Sequence, residues 1–385
     1  MTTPHASLRT VVVEWGRIGC IGFGGPPTHI ALLRELCVTR RRWLTAEEFE
    51  DAIGACNLLP GPASTQLAIY CARRVRGRVG AIVGGAAFIV PGLAMILALS
   101  ALFLAGSPPA WVRGAGAGAG TAVAAVAVHA GVALMPSSRR RAHATGTVRW
   151  IAYIAAGAAA AATLGPWIVL VLLGCGGIEL FARQAGRAGT TLSVFAPAPF
   201  VGAAVMTGGL ASLAWVAFKV GALSYGGGFV IIPLMQADAV HRYHWMTGSQ
   251  FLNAVALGQI TPGPVVQTVA VVGFAAAGVG GGLLAALVAF APSFLFIGVG
   301  APHFDRLRAD QRVRAFLDGA GPAAIGAILG SAIPLALALS EPWQYALLGG
   351  AAILLLVLRR SVVFTLLAAG AVGTLVALAG GAVPR

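Results

Sequence analysis

The sequence predicts an all-α polytopic membrane protein, with two homologous halves arranged as an inverted-topology repeat of broken, re-entrant helical hairpins. Three observations predict this class. Hydrophobic residues make up 58% of the 385 residues and charged residues only 10%, whereas a soluble domain carries roughly 25% charged residues. The charges are clustered between apolar runs long enough to cross a bilayer. The third observation is an internal repeat in a constant register.

The net charge of +14 comes from arginines that lie between the apolar runs. A nucleic-acid-binding chain would carry its basic residues on one exposed face, interleaved with aromatic residues. Clustering in short polar stretches is instead the pattern of cytoplasmic loops in membrane proteins. These stretches are Arg40–Arg42, Arg73–Arg78, Arg139–Arg141, Arg306–Arg314 and Arg359–Arg360. We therefore expect the lipid bilayer, and no nucleic acid, among the partners.

The repeat aligns residues 23–64 with residues 225–266 without a gap, at an offset of 202. Thirteen of the 42 aligned pairs are identical, and internal similarity at one fixed spacing indicates a duplicated unit. We predict an N-terminal repeat over 1–185 and a C-terminal repeat over 212–385, with residues 186–211 as a linker.

Each half opens with two hairpins, and no arm of these hairpins is long enough to span a bilayer. The first arm, Thr10–Ile21, corresponds to a helix about 18 Å long against a hydrocarbon core of about 30 Å. It is followed by the break Gly22–Pro27 and a second arm, Thr28–Thr39. The next hairpin breaks at Pro60–Pro62, between Ala46–Leu59 and Ala63–Ala72, because proline ends the hydrogen-bond ladder and glycine allows a reversal. Ordinary spans are predicted at about 79–104, 114–134, 149–163, 166–182, 280–300, 315–337, 343–358 and 361–379.

The arginines predict that the two halves insert in opposite directions. Seven arginines lie at the base of the first-half hairpins, and one, Arg242, lies at the base of the second-half hairpins. The positive-inside rule places the richer side in the cytoplasm. The opposite orientation requires an additional span in the linker, which we predict at Ser193–Leu213. Inverted repeats with broken helices are characteristic of secondary transporters.

The breaks predict an anion site in the middle of the membrane. Helix N-termini present free N–H groups and a partial positive charge, and the second arm of each hairpin begins at its break. Arg17 and Lys219 are equivalent cations inside the first arms, although Arg17 could instead pair with Glu14. Thr28 and Thr261 lie near the same ends. The candidate substrate-binding residues are Arg17, Gly24, Gly25, His29, Asn57, Gly61, Ser64, Thr65, Gln66, Lys219, Tyr225, Gly226, Gly227, Gln259, Gly263, Gln267 and Thr268.

The acidic residues argue against a cation carrier. Of the twelve, only Glu14 and Glu179 are expected within apolar segments, and Arg183 is the expected partner of Glu179. The five cysteines are too widely spaced to indicate a metal site or disulfides. No nucleophile–base motif and no cluster of metal ligands indicates an enzyme. We expect no catalytic residue, no metal and no cofactor.

The residues at the breaks resemble the chromate ion transporter family. The resemblance is carried by Phe23–Pro26 with His29, by Leu59–Pro62, and in the second half by Tyr225–Phe229 and Thr261–Pro264. It covers both halves, so it implies a full-length two-domain member. One difference is Gly22, where the family more often has serine or threonine, as at Ser224.

The resemblance implies a multi-pass protein of the bacterial inner membrane that exports chromate and gives chromate resistance. Chromate and sulfate are both tetrahedral dianions, and size alone separates them weakly. A carrier of sulfate or another oxyanion is therefore the alternative, and a receptor or enzyme is a distant third hypothesis. The expected partners are the oxyanion and the bilayer, with a homodimer left open.

Overall fold

The computed structural model describes residues 6–57, 59–141, 146–163, 168–185, 209–224, 230–300 and 310–384. Over these residues the chain is helical and has no strand, which confirms the predicted class. The first half contains α1 Leu8–Ile21, α2 Pro26–Arg34, α3 Ala46–Cys56, α4 Ala63–Phe103, α5 Ala110–Thr121, α6 Val123–Arg141, α7 Thr147–Thr163 and α8 Ile168–Ala185. The second half contains α9 Leu210–Leu223, α10 Ile231–Gln236, α11 Gly248–Ile260, α12 Thr268–Gly300, α13 Gln311–Leu337, α14 Pro342–Ala352 and α15 Val362–Leu378. The π-helical segments Glu35–Arg40, Ala237–Arg242 and Ile353–Val357 extend α2, α10 and α14, and the 3-10 turn Val265–Gln267 precedes α12.

Two pairs of equivalent helical segments in the two halves begin and end at residues separated by the offset found in the sequence. α1 and α9 start and end 202 residues apart, and so do the first two π-helical segments. Both segments are followed by a residue with positive φ, Arg42 at 51° and His244 at 52°. The second half has one residue fewer between Pro264 and the middle of α12, so Pro91 of α4 matches Pro292 of α12. The duplicated sequence therefore forms duplicated structure.

α4 and α12 are hairpins, not continuous rods. Gly77 has a φ of 65° and a ψ of −155°, and Gly278 has nearly the same values. A Cβ atom built on Gly84 would lie 2.4 Å from the Cβ atom of Ala72, whereas these positions would be about 18 Å apart along a straight helix. Each hairpin therefore consists of a short arm before the glycine and a long arm after it. This confirms the predicted separation of the arm Ala63–Ala72 from the span that starts near residue 79.

The long arms of α4 and α12 pack against each other in antiparallel directions. A Cβ atom on Gly85 would lie 2.5 Å from Phe294, and one on Gly282 would lie 2.5 Å from Leu97. Because these arms are equivalent, the axis that relates them is perpendicular to them. For helices that cross a bilayer, such an axis lies in the membrane plane, as in inverted repeats. The packing supports the opposite orientation of the halves, which stays a prediction.

The helices that follow the long arms are exchanged between the halves. α13 of the second half packs against α7 and α8 of the first half, and α5 packs against α15. Small residues allow close approach: Gly157 lies against the backbone of Ala323, and Gly114 against that of Gly373. Such contacts are typical of helix association in membranes, where lipid removes the hydrophobic driving force. The halves are therefore interlocked.

A buried acid joins the exchanged helices. Glu179 of α8 is fully buried and accepts hydrogen bonds from Arg183 Nε at 2.8 Å and from Tyr153 Oη at 3.1 Å. Arg183 also donates to Asp318 of α13 at 2.7 Å. The predicted pairing of Glu179 with Arg183 is confirmed. A buried carboxylate with these partners is compensated, so it ties α7, α8 and α13 together.

Among the described residues, four helical stretches are long and apolar enough to cross a membrane, by length and composition: Ala63–Phe103, Ala110–Arg140, Val265–Gly300 and Gln311–Leu337. Two of them contain the reversals at Gly77 and Gly278, so their long arms are the parts that can cross. Most of the predicted linker span, Ser193–Leu213, lies outside the described residues, and α9 begins at Leu210.

Candidate functional site

Two main-chain hydrogen bonds join the breaks of one half to those of the other. The N–H group of Gly61 donates to the carbonyl of Ser224 at 3.0 Å, and the N–H group of Gly263 donates to that of Gly22 at 3.1 Å. Gly61 and Gly263 are equivalent, and so are Gly22 and Ser224. Each Pro-Gly-Pro turn is therefore bonded to the end of the first arm of the opposite half. The breaks meet around a pseudo-two-fold axis.

Glycine is required at the turns by backbone conformation and by space. The φ values are 99° at Gly24, 75° at Gly25, 118° at Gly61 and 102° at Gly263, a region that other residues rarely adopt. A Cβ atom on Gly61 would lie 2.6 Å from Gln66 Nε2. The predicted breaks at Gly22–Pro27, Pro60–Pro62 and Pro262–Pro264 are confirmed, and a side chain at Gly61 would strain the backbone and displace the amide of Gln66.

His29 lies at the centre of the site, but both of its ring nitrogens are used by the protein. Nε2 donates to the carbonyl of Gly22 at 2.8 Å, and the hydroxyl of Ser64 donates to Nδ1 at 3.3 Å. This bonding pattern assigns the proton to Nε2. The ring is fully buried and meets the ring of Phe88 edge-on, 5.0 Å between centroids. His29 and Ser64 thus fix the first break and the start of α4 relative to each other.

Several buried polar atoms in this region have no hydrogen-bond partner among the described residues. The unpartnered atoms are Thr65 Oγ1, Gln66 Oε1, Ser224 Oγ, Gln259 Nε2, Gln267 Oε1 and Ser293 Oγ. Ser293 Oγ would lie 3.4 Å from a Cβ atom on Gly61. Burying a polar group without a partner is costly. Unsatisfied hydroxyl and amide groups at the breaks therefore indicate a place for a polar ligand.

Other candidate residues are already engaged or lie elsewhere. The hydroxyls of Thr261 and Thr268 donate to the carbonyls of Leu257 and Val265, each at 2.8 Å. Asn57 is exposed at the end of α3, and Thr28 is half-buried in the first turn of α2. Tyr225, Gly226 and Gly227 lie outside the described residues. Ser293 was missed by the sequence analysis because nothing distinguishes one serine in an apolar arm.

The two predicted cations do not form a matched pair at the centre. Arg17 is exposed, and Glu14 pairs with Arg40 at 3.1 Å and Arg41 at 2.7 Å instead of with Arg17. The expected pairing within α1 is therefore wrong.

The expectation that Lys219 has no acidic neighbour is also wrong. Its Nζ atom lies 2.5 Å from Oδ2 of Asp238, which is fully buried. Asp238 was not counted among the acids in apolar segments. It lies 19 residues along the chain, in the π-helical segment that folds back over α9, so local spacing could not reveal it. Lys219 is neutralised in this structure.

The two halves differ in polarity around the equivalent breaks. His29 and Ser64 of the first half correspond to Ile231 and Val266 of the second, so the side-chain bond between break and helix is absent there. Every residue from Thr261 to Ala270 is buried, Pro262 included, whereas its counterpart Pro60 is exposed. The first-half Pro-Gly-Pro turn is therefore the more accessible of the two.

Comparisons with known proteins show the family to which the chain belongs. The model of the chromate transporter family matches residues 9–179 and 211–374, which are most of the chain. The chain belongs to the chromate transporter family. The match confirms the resemblance seen at the breaks. The chain is a multi-pass protein of the inner membrane, as the sequence predicted.

Relatives in this family are similar over nearly their full length. The chain is 32% identical over 348 residues to the chromate transport protein of Cupriavidus metallidurans, covering 87% of this chain and 84% of that protein. It is 28% identical over 340 residues to the probable chromate transport protein of Synechococcus elongatus, covering 86% and 85%. It is 29% identical over 361 residues to the chromate transport protein of Pseudomonas aeruginosa, covering 88% and 83%. No solved structure matches the chain.

Proposed function

We propose that this protein is a secondary transporter that exports chromate from the cytoplasm and gives chromate resistance. One structural observation carries the proposal: the breaks of both halves are joined crosswise by the bonds of Gly61 and Gly263, with the unsatisfied hydroxyls of Thr65, Ser224 and Ser293 as donors in the same region. The names of the relatives supply the ion and favour a transporter over an enzyme.

The site suits a desolvated oxyanion because it offers hydrogen-bond donors and helix N-termini. At the start of α4, the N–H groups of Thr65 and Gln66 donate to the carbonyl of Pro62, so the N–H groups that remain for a ligand are those of the residues before Thr65. Hydroxyls of Ser224 and Ser293 add donors near Gly61. Helix N-termini bind phosphate and sulfate in this way. With Lys219 neutralised by Asp238, neutral donors hold the anion and no central cation is needed.

The membrane potential favours export of a dianion. Moving one charge through 100 mV changes the free energy by about 2.3 kcal/mol, so a dianion leaving a negative interior gains roughly 4.6 kcal/mol per 100 mV. This corresponds to a gradient of more than about a thousandfold. The sequence contains no nucleotide-binding GxxxxGK[ST] motif. Export of chromate thus requires no nucleotide hydrolysis.

A carrier of sulfate or another tetrahedral oxyanion is the second candidate. Hydroxyl and main-chain donors recognise the oxygen atoms of the anion, which chromate and sulfate share. Discrimination between such similar ions by a pocket is weak.

Everted membrane vesicles test the proposal, because export becomes uptake. Vesicles that contain the protein should accumulate radiolabelled chromate when the interior is made positive, and vesicles without the protein should not. A tenfold excess of sulfate should lower the uptake of chromate, while labelled sulfate should accumulate less than chromate. Equal uptake of labelled sulfate would favour the second candidate, and absence of uptake of either ion would contradict transport.

A further inference from the structure

A cavity of about 450 Å³ lies away from the breaks, between the first turns of α5 and α11. Its walls come from the end of the long arm of α4, the connection to α5, and the first turns of α5, α11 and α14. Among the described residues that line it are one arginine, Arg113, and no carboxylate. The polar lining further includes Ser249, Gln250, Asn253 and Gln344.

Arg113 is held in an environment that is unfavourable for an unpaired cation. Its Nε atom is buried without a hydrogen-bond partner, and none of the ion pairs between described residues includes it. It also lies in the first turn of α5, after Pro109, where the partial positive charge of the helix N-terminus repels a cation. An anion in the cavity would relieve both costs.

Asn253 supplies uncommitted polar atoms to the same cavity. Gly116 and Gly120 of α5 make room for its amide: Cβ atoms there would lie 2.8 Å from its Nδ2 and 3.0 Å from its Oδ1. Gln344, by contrast, donates to the carbonyl of Ala117 at 3.3 Å and to the hydroxyl of Thr121 at 3.1 Å, so its amide is used in packing. The amide of Asn253, a residue of α11, thus lies against Gly116 of α5, about one turn along that helix from Arg113, and both Arg113 and Asn253 line the cavity.

The part of the cavity wall on α11 has neutral residues at positions where the equivalent first-half helix has acidic residues. Ser249, Gln250 and Asn253 of α11 correspond to Glu47, Glu48 and Asp51 of α3. Glu48 pairs with Arg74 at 2.5 Å. The Thr45 backbone N–H, and after it Arg74, holds the pKa of the Glu48 carboxyl below its usual range. The first-half positions thus carry carboxylates, one of them paired with an arginine, and the equivalent positions beside Arg113 carry neutral side chains.

We infer that this cavity is a second oxyanion-binding site, in which the guanidinium of Arg113 supplies the charge and Asn253 and Ser249 supply neutral hydrogen-bonding groups. The inference rests on the proposed function and adds to it a site away from the breaks.

The cavity lies at the end of a long arm that starts at Gly77, roughly 39 Å away along the helix. With the arginine-rich turn in the cytoplasm, an exported anion would reach this cavity last, so it is a release site.

The charge of the cavity can be measured without transport. A reporter thiol is placed at Gly106, which lines the cavity and where an added Cβ atom would meet no other atom within 4 Å, in a background with Cys20→Ser. The other four cysteines are buried. In detergent, Gly106→Cys is labelled with an anionic and with a cationic methanethiosulfonate, and the ratio of the two rates is recorded. Sodium sulfate is then added, with sodium chloride of equal ionic strength as the control.

We expect Arg113→Gln to lower the anionic-to-cationic rate ratio about tenfold and to abolish the slowing by sulfate. Asn253→Asp is nearly isosteric and introduces the residue found at the equivalent first-half position, Asp51. It should lower the same rate ratio and abolish the slowing by sulfate, so it tests the inference even if Arg113→Gln does not fold. Arg9→Gln removes an exposed charge elsewhere and should change neither measurement. An unchanged ratio in Asn253→Asp, or no slowing by sulfate in the parent protein, would overturn the inference. Failure of chromate uptake by vesicles would instead contradict the proposed function and leave this labelling result intact.

Discussion

Lys219 and Asp238 form a buried ion pair, and this pair changes what substitution of Lys219 should do. The pair separation is 2.5 Å and the Asp238 side chain is fully buried. Lys219→Met would leave a buried carboxylate unpaired, which costs about 3–5 kcal/mol. We therefore expect a large loss of folded protein, measured by fluorescence-detected size-exclusion chromatography.

The double variant Lys219→Met with Asp238→Leu separates structure from function, because Leu36 is the first-half counterpart of Asp238. It should recover both the folded yield and chromate uptake. Arg17→Met removes the equivalent but exposed cation and is the matched control, with the yield unchanged. A double variant that folds but does not transport would show that Lys219 itself serves the anion.

At the scale of single residues, the sequence predicted positions better than partners. The glycines of the turns could be predicted, because positive φ and close approach leave few other residues. His29 was correctly placed at the first break, yet its bonds to Gly22 and Ser64 depend on how two hairpins meet. The partners of Glu14 and Lys219 come from π-helical segments that fold back, which no i,i+3 or i,i+4 spacing reveals.

At the scale of helices, the Pro-Gly-Pro turns are the elements most sensitive to a side chain. Gly61 has a φ of 118°, and its N–H group bonds to the opposite half. Gly61→Val adds strain of about 1–3 kcal/mol and drives a side chain against Gln66 Nε2. We expect chromate uptake per folded protein to fall at least about tenfold, from a barrier increase of about 1.4 kcal/mol.

Gly174→Ala is the control for this change, because it lies in α8 with no atom within 4 Å of the added methyl group. It should keep both yield and uptake. Uptake by Gly61→Val equal to that of Gly174→Ala would mean that the turn tolerates a side chain and that its geometry does not define the site.

Hairpins were predictable at the element scale because each has a proline or glycine at the break and arms too short to span. The arginines between Ala72 and residue 79 predict a polar turn between the short arm and the long span. They do not predict that Gly77 makes this turn so tightly that both arms belong to one helical hairpin. The exchange of α7 and α8 with α13 could not be predicted, because helices in a membrane are apolar on all sides and their pairing depends on small residues such as Gly157 and Gly326.

At the scale of the whole molecule, the repeat produces a symmetric scaffold with asymmetric chemistry. The crosswise bonds of Gly61 and Gly263 obey the two-fold relation, whereas the bonded pair His29 and Ser64 of the first half is replaced by Ile231 and Val266 in the second. Likewise Arg113 faces a wall without acids in the second half. The duplicated fold is therefore equivalent in its backbone and different in the side chains of its two halves.

Opposite orientation of the halves is the prediction that tests this scaffold. The equivalent residues Ala46 and Gly248 begin α3 and α11, directly after the capping residues Thr45 and Thr247. A cysteine at either position leaves the cap intact, and Cys20→Ser removes the one exposed native thiol among the described cysteines.

In intact cells, a membrane-impermeant maleimide should label Gly248→Cys. Ala46→Cys should be labelled in everted vesicles only, because seven arginines hold its side in the cytoplasm. Detergent should make both thiols accessible, which controls for buried positions. Labelling of both cysteines from the same side would place the two halves in parallel, and the antiparallel packing of the α4 and α12 long arms would then require a different account.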